Sequence, residues 1–291
     1  MRLAEYTDYT LRVLMYCAAR PQQLVTISAP KRRRTTAAAA PAPAPTDGAK
    51  PADGTKPAEG APAVAAAPAP APAPAVSSYP GTVGSVPASL KLSKFYTQYT
   101  DAGGVPVVAS AKPAARSLLA ARSIVLNMLV NRADILGALK KANVRVAVIG
   151  ATEVTTDIPE YATLVPADWW NTRTRGVGAT PTRPVSSAGE ENLLGLSGDR
   201  YVGESIMVHE FGHTLFEMGA RTLKRSLDLE LDALYQAAMA AGLWQSTYAA
   251  TNYREYWAEG VQCWFNANPR ARPANGVHGP VATREDLQAY D

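Results

Sequence analysis

The sequence predicts an α+β fold, a mixed sheet packed by helices and preceded by a long segment unable to build a core. Three observations lead there. Short β-branched runs alternate with helix-period segments between residues 94 and 149. After residue 200 the apolar pattern becomes helical, and residues 35–76 are almost entirely alanine and proline.

The chain of 291 residues divides accordingly into residues 1–30, 31–78 and 79–291. In the first part, Leu11, Leu14 and Met15 give the run Met1–Tyr16 the apolar face of a helix. This run resembles the opening helix of the winged-helix repressors that carry iron–sulfur clusters. The resemblance stops near Ser28, before any recognition helix, wing or cluster cysteines. Reading DNA needs an element placed in the major groove, so residues 1–30 are expected to be a helical fragment. The second part begins with Lys31, Arg32, Arg33 and Arg34, read as a solvated charge run. Its Ala-Pro alternation favours extended polyproline II, a semi-rigid spacer reaching on the order of 130 Å at roughly 3.1 Å per residue.

Residues 79–291 are long enough for one domain with a real core. Lys94 to Tyr99 and Val105 to Ser110 are expected as strands, Ala114 to Asn131 as an amphipathic helix and Asp134 to Lys141 as a shorter one. Val144 to Ile149, an unbroken apolar run, is expected as a buried strand. The stretches Arg173 to Ala179 and Pro184 to Leu196 are expected as edge strands, the second because of its polar centre from Ser186 to Asn192. Helices are expected over residues 203–218, over Leu223 to Ala241 with Gly242 ending it, and over Tyr253 to Ala267. Asp228, Glu230 and Asp232 are assigned to the exposed side of the middle helix.

The first of these helices carries His209, Glu210, Phe211, Gly212 and His213. Histidines separated by one helical turn stand on one face, where both imidazoles reach a single ion. Ile206, Val208, Phe211, Leu215, Phe216 and Met218 surround them, and burying two imidazoles and a carboxylate there without partners is costly. A metal ion removes that cost. The spacing H-E-x-x-H matches zinc hydrolases, in which Glu210 serves as general base for the attacking water.

A catalytic zinc takes a third protein ligand. The metzincin spacing fails, because Phe216 and Gly219 occupy the required positions. Two sources remain downstream. His278 lies in a turn-rich stretch that holds a ligand loosely, whereas Glu255 and Glu259 lie one turn apart on an expected helix. Trp257, Val261, Trp264 and Phe265 make that helix largely buried. One acid is then available to the metal and the other to the spare N–H of a ligating histidine.

The run Tyr248 to Glu259, following His209 to His213, resembles the catalytic domain of anthrax toxin lethal factor and its relatives, gluzincin-type metallopeptidases. The resemblance implies a zincin-like domain, Zn2+ as cofactor, Glu255 as third ligand and Glu259 as the supporting acid. It also implies that Tyr248 stabilises the transition state. A phenol beside such a site can in any case donate to a developing oxyanion, a role for which Tyr253 and Tyr256 compete. The expected function is therefore zinc-dependent hydrolysis of peptide bonds in a peptide or protein substrate. Two alternatives stand: a non-catalytic metal-binding or interaction module, indifferent to replacement of Glu210, and a DNA-binding regulator acting through the N-terminal fragment. The chain stops at Asp291, where domains of this type commonly continue with further helical structure.

Charge separates the parts. The formal charge of +4 comes from the first 78 residues, with nine basic and five acidic side chains; from Tyr79 onward there are twenty of each. Hence no nucleic-acid partner is expected for the folded domain. No stretch is long and apolar enough to span a bilayer. Glu5, Asp8 and Arg12 interrupt any secretory signal, although the resemblance and the spacer lean toward an extracytoplasmic setting. Cys17 and Cys263 suggest no disulfide framework, with Cys263 read as a core thiol. A monomer is expected.

Overall fold

A computed structural model describes residues 79–291. The helical fragment expected within residues 1–30 and the linker expected over 31–78 lie outside the described residues.

Strands β1 (Gln98–Ala102) and β2 (Val105–Ala109) form an antiparallel hairpin. Gly103 and Gly104 make its turn at φ +70° and +97°, conformations that side-chain-bearing residues avoid. The Asp101 carboxylate accepts the Gly104 N–H at 3.0 Å. This turn fixes the register, so β1 begins at Gln98 rather than Lys94, and Lys94 and Phe95 form a turn. Because β2 and β3 (Arg145–Ile149) are parallel, a crossover must join them. Helices α1 (Ala115–Met128) and α2 (Ala133–Lys141) provide it.

The sheet order is β1-β2-β3-β5-β4, with β5 (Val185–Gly189) parallel to β3 and β4 (Gly176–Val177) antiparallel to β5. β4, preceded by α3 (Ala167–Arg173), occupies the expected edge position but is only a fragment of the Arg173–Ala179 stretch. Pro184 to Leu196 is not an edge strand. β5 is interior and wholly buried, and the chain turns into α4 (Glu190–Leu194) directly after it. Of its two serines, Ser187 has internal partners, its hydroxyl lying 3.1 Å from both Tyr161 Oη and the Val177 nitrogen, whereas the buried Ser186 hydroxyl has none among the described residues. Glu190 accepts the Ala114 N–H at 2.7 Å, and Glu191 accepts from Arg175 at 2.8 Å.

One sheet face, with Val107, Val146, Val148 and Ala188, packs against α1, α2 and the helix α5 (Ile206–Thr214). The other face, with Val108, Ala147, Ile149 and Val185, is covered by Ile158, Tyr161, Leu164 and Trp170. α5 starts later than the expected residue 203 and runs on through a π-helical turn, Leu215–Ala220, and the short segment Arg221–Leu223. Helix α6 (Leu227–Ala240) follows, and Gly242, at φ +74°, ends it. Asp228, Glu230 and Asp232 are partly exposed, near the outer side of this helix. Glu230 accepts from Lys224 at 2.7 Å and Asp228 from the Tyr253 hydroxyl at 3.2 Å.

Helix α7 (Tyr253–Trp264) is capped by Asn252, whose side chain accepts the N–H groups of Arg254 and Glu255 at 2.9 and 3.1 Å. Beyond α7 the chain forms a further helix, α8 (Arg284–Tyr290), which no expectation included. α8 packs through Leu287 on a small core with Trp244, Cys263 and Trp264. The Asp291 carboxylate accepts from Tyr256 at 2.6 Å and Trp244 at 2.7 Å. Among the described residues no helix is long and apolar enough to cross a membrane.

Candidate metal centre

α5 has two faces to satisfy, one on the sheet and one on α7. On the sheet side the fit is close enough to require glycine. A Cβ on Gly176 would come within 2.5 Å of Ile206 and 2.9 Å of Glu210, and one on Gly178 within 2.7 Å of the His213 Cβ. On the other side, a Cβ on Gly212 would meet Val261 at 3.2 Å. The Trp257 indole N–H donates to the Gly212 carbonyl at 2.9 Å. Ser205 caps α5, accepting from Val208 at 3.4 Å, and its own N–H is tied to Ala267 at 3.0 Å. The two helices are thereby held with their polar residues facing one another.

His209, His213 and Glu255 come together at that interface, all three buried. Glu255 Oε2 lies 3.1 Å from His209 Nε2 and 3.2 Å from His213 Nε2, and the two Nε2 atoms are 3.1 Å apart. Three donor atoms about 2.0 Å from a tetrahedral centre would be about 3.3 Å from one another. The observed triangle is close to that size, and its atoms are the nitrogen and carboxylate donors zinc prefers, so the residues fit the ion. The charges agree. Burial pushes the His209 imidazole down, but the carboxylates of Glu255, Glu210 and Glu259 more than offset this and carry it up to about 10. Burial raises Glu255, and the two imidazoles outweigh it, holding the carboxyl far below the usual range. The pocket thus favours a cation.

Glu210 is buried beside the triangle and accepts from the Gly178 backbone N–H. Its pKa is raised, chiefly by burial, with Glu255 adding to that and the imidazoles opposing it. Tyr248, on a short 3-10 turn ahead of α7, is hydrogen-bonded to Glu255, and its ring centre is 6.1 Å from that of His209. Burial and the neighbouring carboxylates raise its pKa, so the phenol keeps its proton. Its competitors point elsewhere: Tyr253 donates to Asp228 and Tyr256 to Asp291.

Glu259 is buried on the His209 side, but its Oε1 is 3.6 Å from His209 Nδ1, while Asn268 donates to its Oε2 at 2.8 Å. The closer partner of Nδ1 is Gln262, at 2.8 Å. Sequence reasoning missed Gln262. Its signal was available, since residues 255, 259 and 262 share one helical face. His278 is outside the triangle: its Nε2 is 3.9 Å from Glu204 Oε1. Cys263 is a free, buried thiol with Sγ 3.5 Å from the Val281 carbonyl. A small cavity of about 20 Å³ lies beside His209 and Glu210, walled by Arg175, Gly176, Tyr201, Glu204, Ile206 and Glu259.

Compared with known proteins, the chain matches no family model and no curated protein.

Proposed function

We propose that this chain is a zinc-dependent endopeptidase with a zincin-like domain of the gluzincin type. The observation that carries the reading is the triangle of His209 Nε2, His213 Nε2 and Glu255 Oε2, with sides of 3.1 to 3.2 Å and a buried carboxyl, Glu210, next to it. The resemblance to the lethal factor catalytic domain at His209–His213 and Tyr248–Glu259 supports it further.

In this reading His209, His213 and Glu255 hold the metal. Zinc, when bound, supplies Lewis acidity that polarises a peptide carbonyl and makes water a stronger acid. Glu210 takes a proton from the attacking water and returns it to the departing amine. Its burial suits this, because a carboxyl whose pKa is raised is a stronger base toward the water's proton than a solvated one. Tyr248, kept protonated, donates to the oxyanion that develops on the substrate carbonyl.

The test is cleavage of a peptide library by zinc-loaded wild type and by Glu210→Gln. The expected result is one zinc per chain in both and cleavage reduced roughly 10²–10⁴-fold in the variant, the usual contribution of a general base. Equal behaviour of the two would leave a metal-binding module without catalysis.

A further inference from the structure

We infer that Gln262 is the positioning residue that fixes the tautomer and rotation of His209, presenting its Nε2 lone pair toward Glu255 and His213. The inference rests on the metal reading above. Gln262 is fully buried and spans two helices: its Oε1 lies 2.8 Å from His209 Nδ1, and its Nε2 lies 3.2 Å from the Ser205 carbonyl and 3.3 Å from Glu204 Oε2. An amide nitrogen only donates, and both groups it faces accept, which orients the side chain. The oxygen is therefore the end turned to the ring, and an oxygen only accepts. His209 Nδ1 must then carry the hydrogen. In the neutral ring this leaves Nε2 as the bare nitrogen, the form a metal requires.

Charge explains why an amide suits this place better than another acid. Glu204, Glu210, Glu255 and Glu259 already surround His209 within the same pocket. A neutral acceptor sets the tautomer without burying one more negative charge. Glu259, the acid of the same helix face, cannot make the bond at 3.6 Å while Asn268 holds its other oxygen. The Ser205 carbonyl anchoring Gln262 belongs to the cap of α5, so one side chain ties the start of α5, the ring of His209 and the end of α7 together.

The experiment measures zinc affinity of the full chain by competition with a chromophoric chelator, together with the melting temperature of the metal-free protein. Gln262→Met keeps the volume and loses the acceptor; zinc should bind about 10–100-fold more weakly, the range for lost partners of metal-bound histidines. Gln262→Glu restores the acceptor and should return the affinity to within about tenfold of wild type. A merely structural role would lower the metal-free melting temperature without changing zinc affinity, and that pattern overturns the inference. Histidine nitrogen NMR of the zinc-loaded wild type decides independently of any variant: a protonated Nδ1 on His209 supports the assignment and a bare Nδ1 overturns it. Absence of zinc binding by wild type removes both this inference and the metal reading, whereas tight binding by wild type and Gln262→Met alike removes only this one.

Discussion

α5 and α7 both bury charged side chains on otherwise apolar helices, yet they are held in opposite ways. α5 is pressed against a sheet through glycines, Gly176 and Gly178, whose missing side chains set its distance. α7 touches no strand closely and is positioned by side chains: the Asn252 cap, Trp257 on α5, and Tyr256 on Asp291. Half of the candidate centre is therefore anchored by backbone packing and half by replaceable side-chain contacts. The α5 side should tolerate added volume poorly, and the α7 side should fail by loss of contacts.

The largest expected effect is at Trp257. Trp257→Ala removes a nearly fully buried ring that packs on Phe216 and bonds the Gly212 carbonyl, and should cost about 3–5 kcal/mol in denaturant unfolding. A cost below about 1 kcal/mol would mean that α7 is held by something other than this contact.

His278, on the loop that follows α7, gives a pH signature. Burial and the nearby His209 lower its imidazole to about 4. Its value in the unfolded chain is near 6.5. Between those values the unfolded chain binds a proton that the folded chain does not, so stability is complete above about pH 6.5 and is lost as pH falls toward 4. His278→Gln should flatten that part of the curve, by up to about 3 kcal/mol at its acid end. Parallel curves for wild type and variant would show that His278 titrates normally.

The glycines compare the two sides directly. Gly178→Ala places a methyl 2.7 Å from the His213 Cβ, part of a fixed helix, and Gly212→Ala places one 3.2 Å from Val261. Both should destabilise, Gly178→Ala by about 2–3 kcal/mol and Gly212→Ala by about 1 kcal/mol. The reverse order would mean that the sheet yields more readily than α7. Smallest is the cap: Asn252→Ala should cost about 1 kcal/mol and loosen the start of α7, where Glu255 sits.

Legibility in the sequence follows the same division. His209, Glu210 and His213 lie within a helical turn and a half, so spacing alone placed the two histidines on one face with Glu210 beside it. Glu255 required pairing two distant helices; the buried acids of an aromatic-rich helix nominated Glu255 and Glu259 together, and only the resemblance to the lethal factor family singled out Glu255. Gln262 was not nominated, because neutral amides are common on helices and its value depends on the Ser205 and Glu204 acceptors brought up from another segment. In the sheet, Val144–Ile149 was readable as an apolar run. Val185–Gly189 was misread as an edge because two serines lower its apolar character, and the burial of Ser187 depends on Tyr161 and Val177 being nearby. Long-range partners of this kind leave no local period to detect.

The metal centre is tested most directly by anomalous diffraction at the zinc edge from crystals of the zinc-loaded chain. Zinc held by this triangle gives one strong peak per chain within about 2.0–2.2 Å of His209 Nε2, His213 Nε2 and a Glu255 carboxylate oxygen. A peak at other side chains, or zinc held by the histidines with Glu255 turned away, would contradict it.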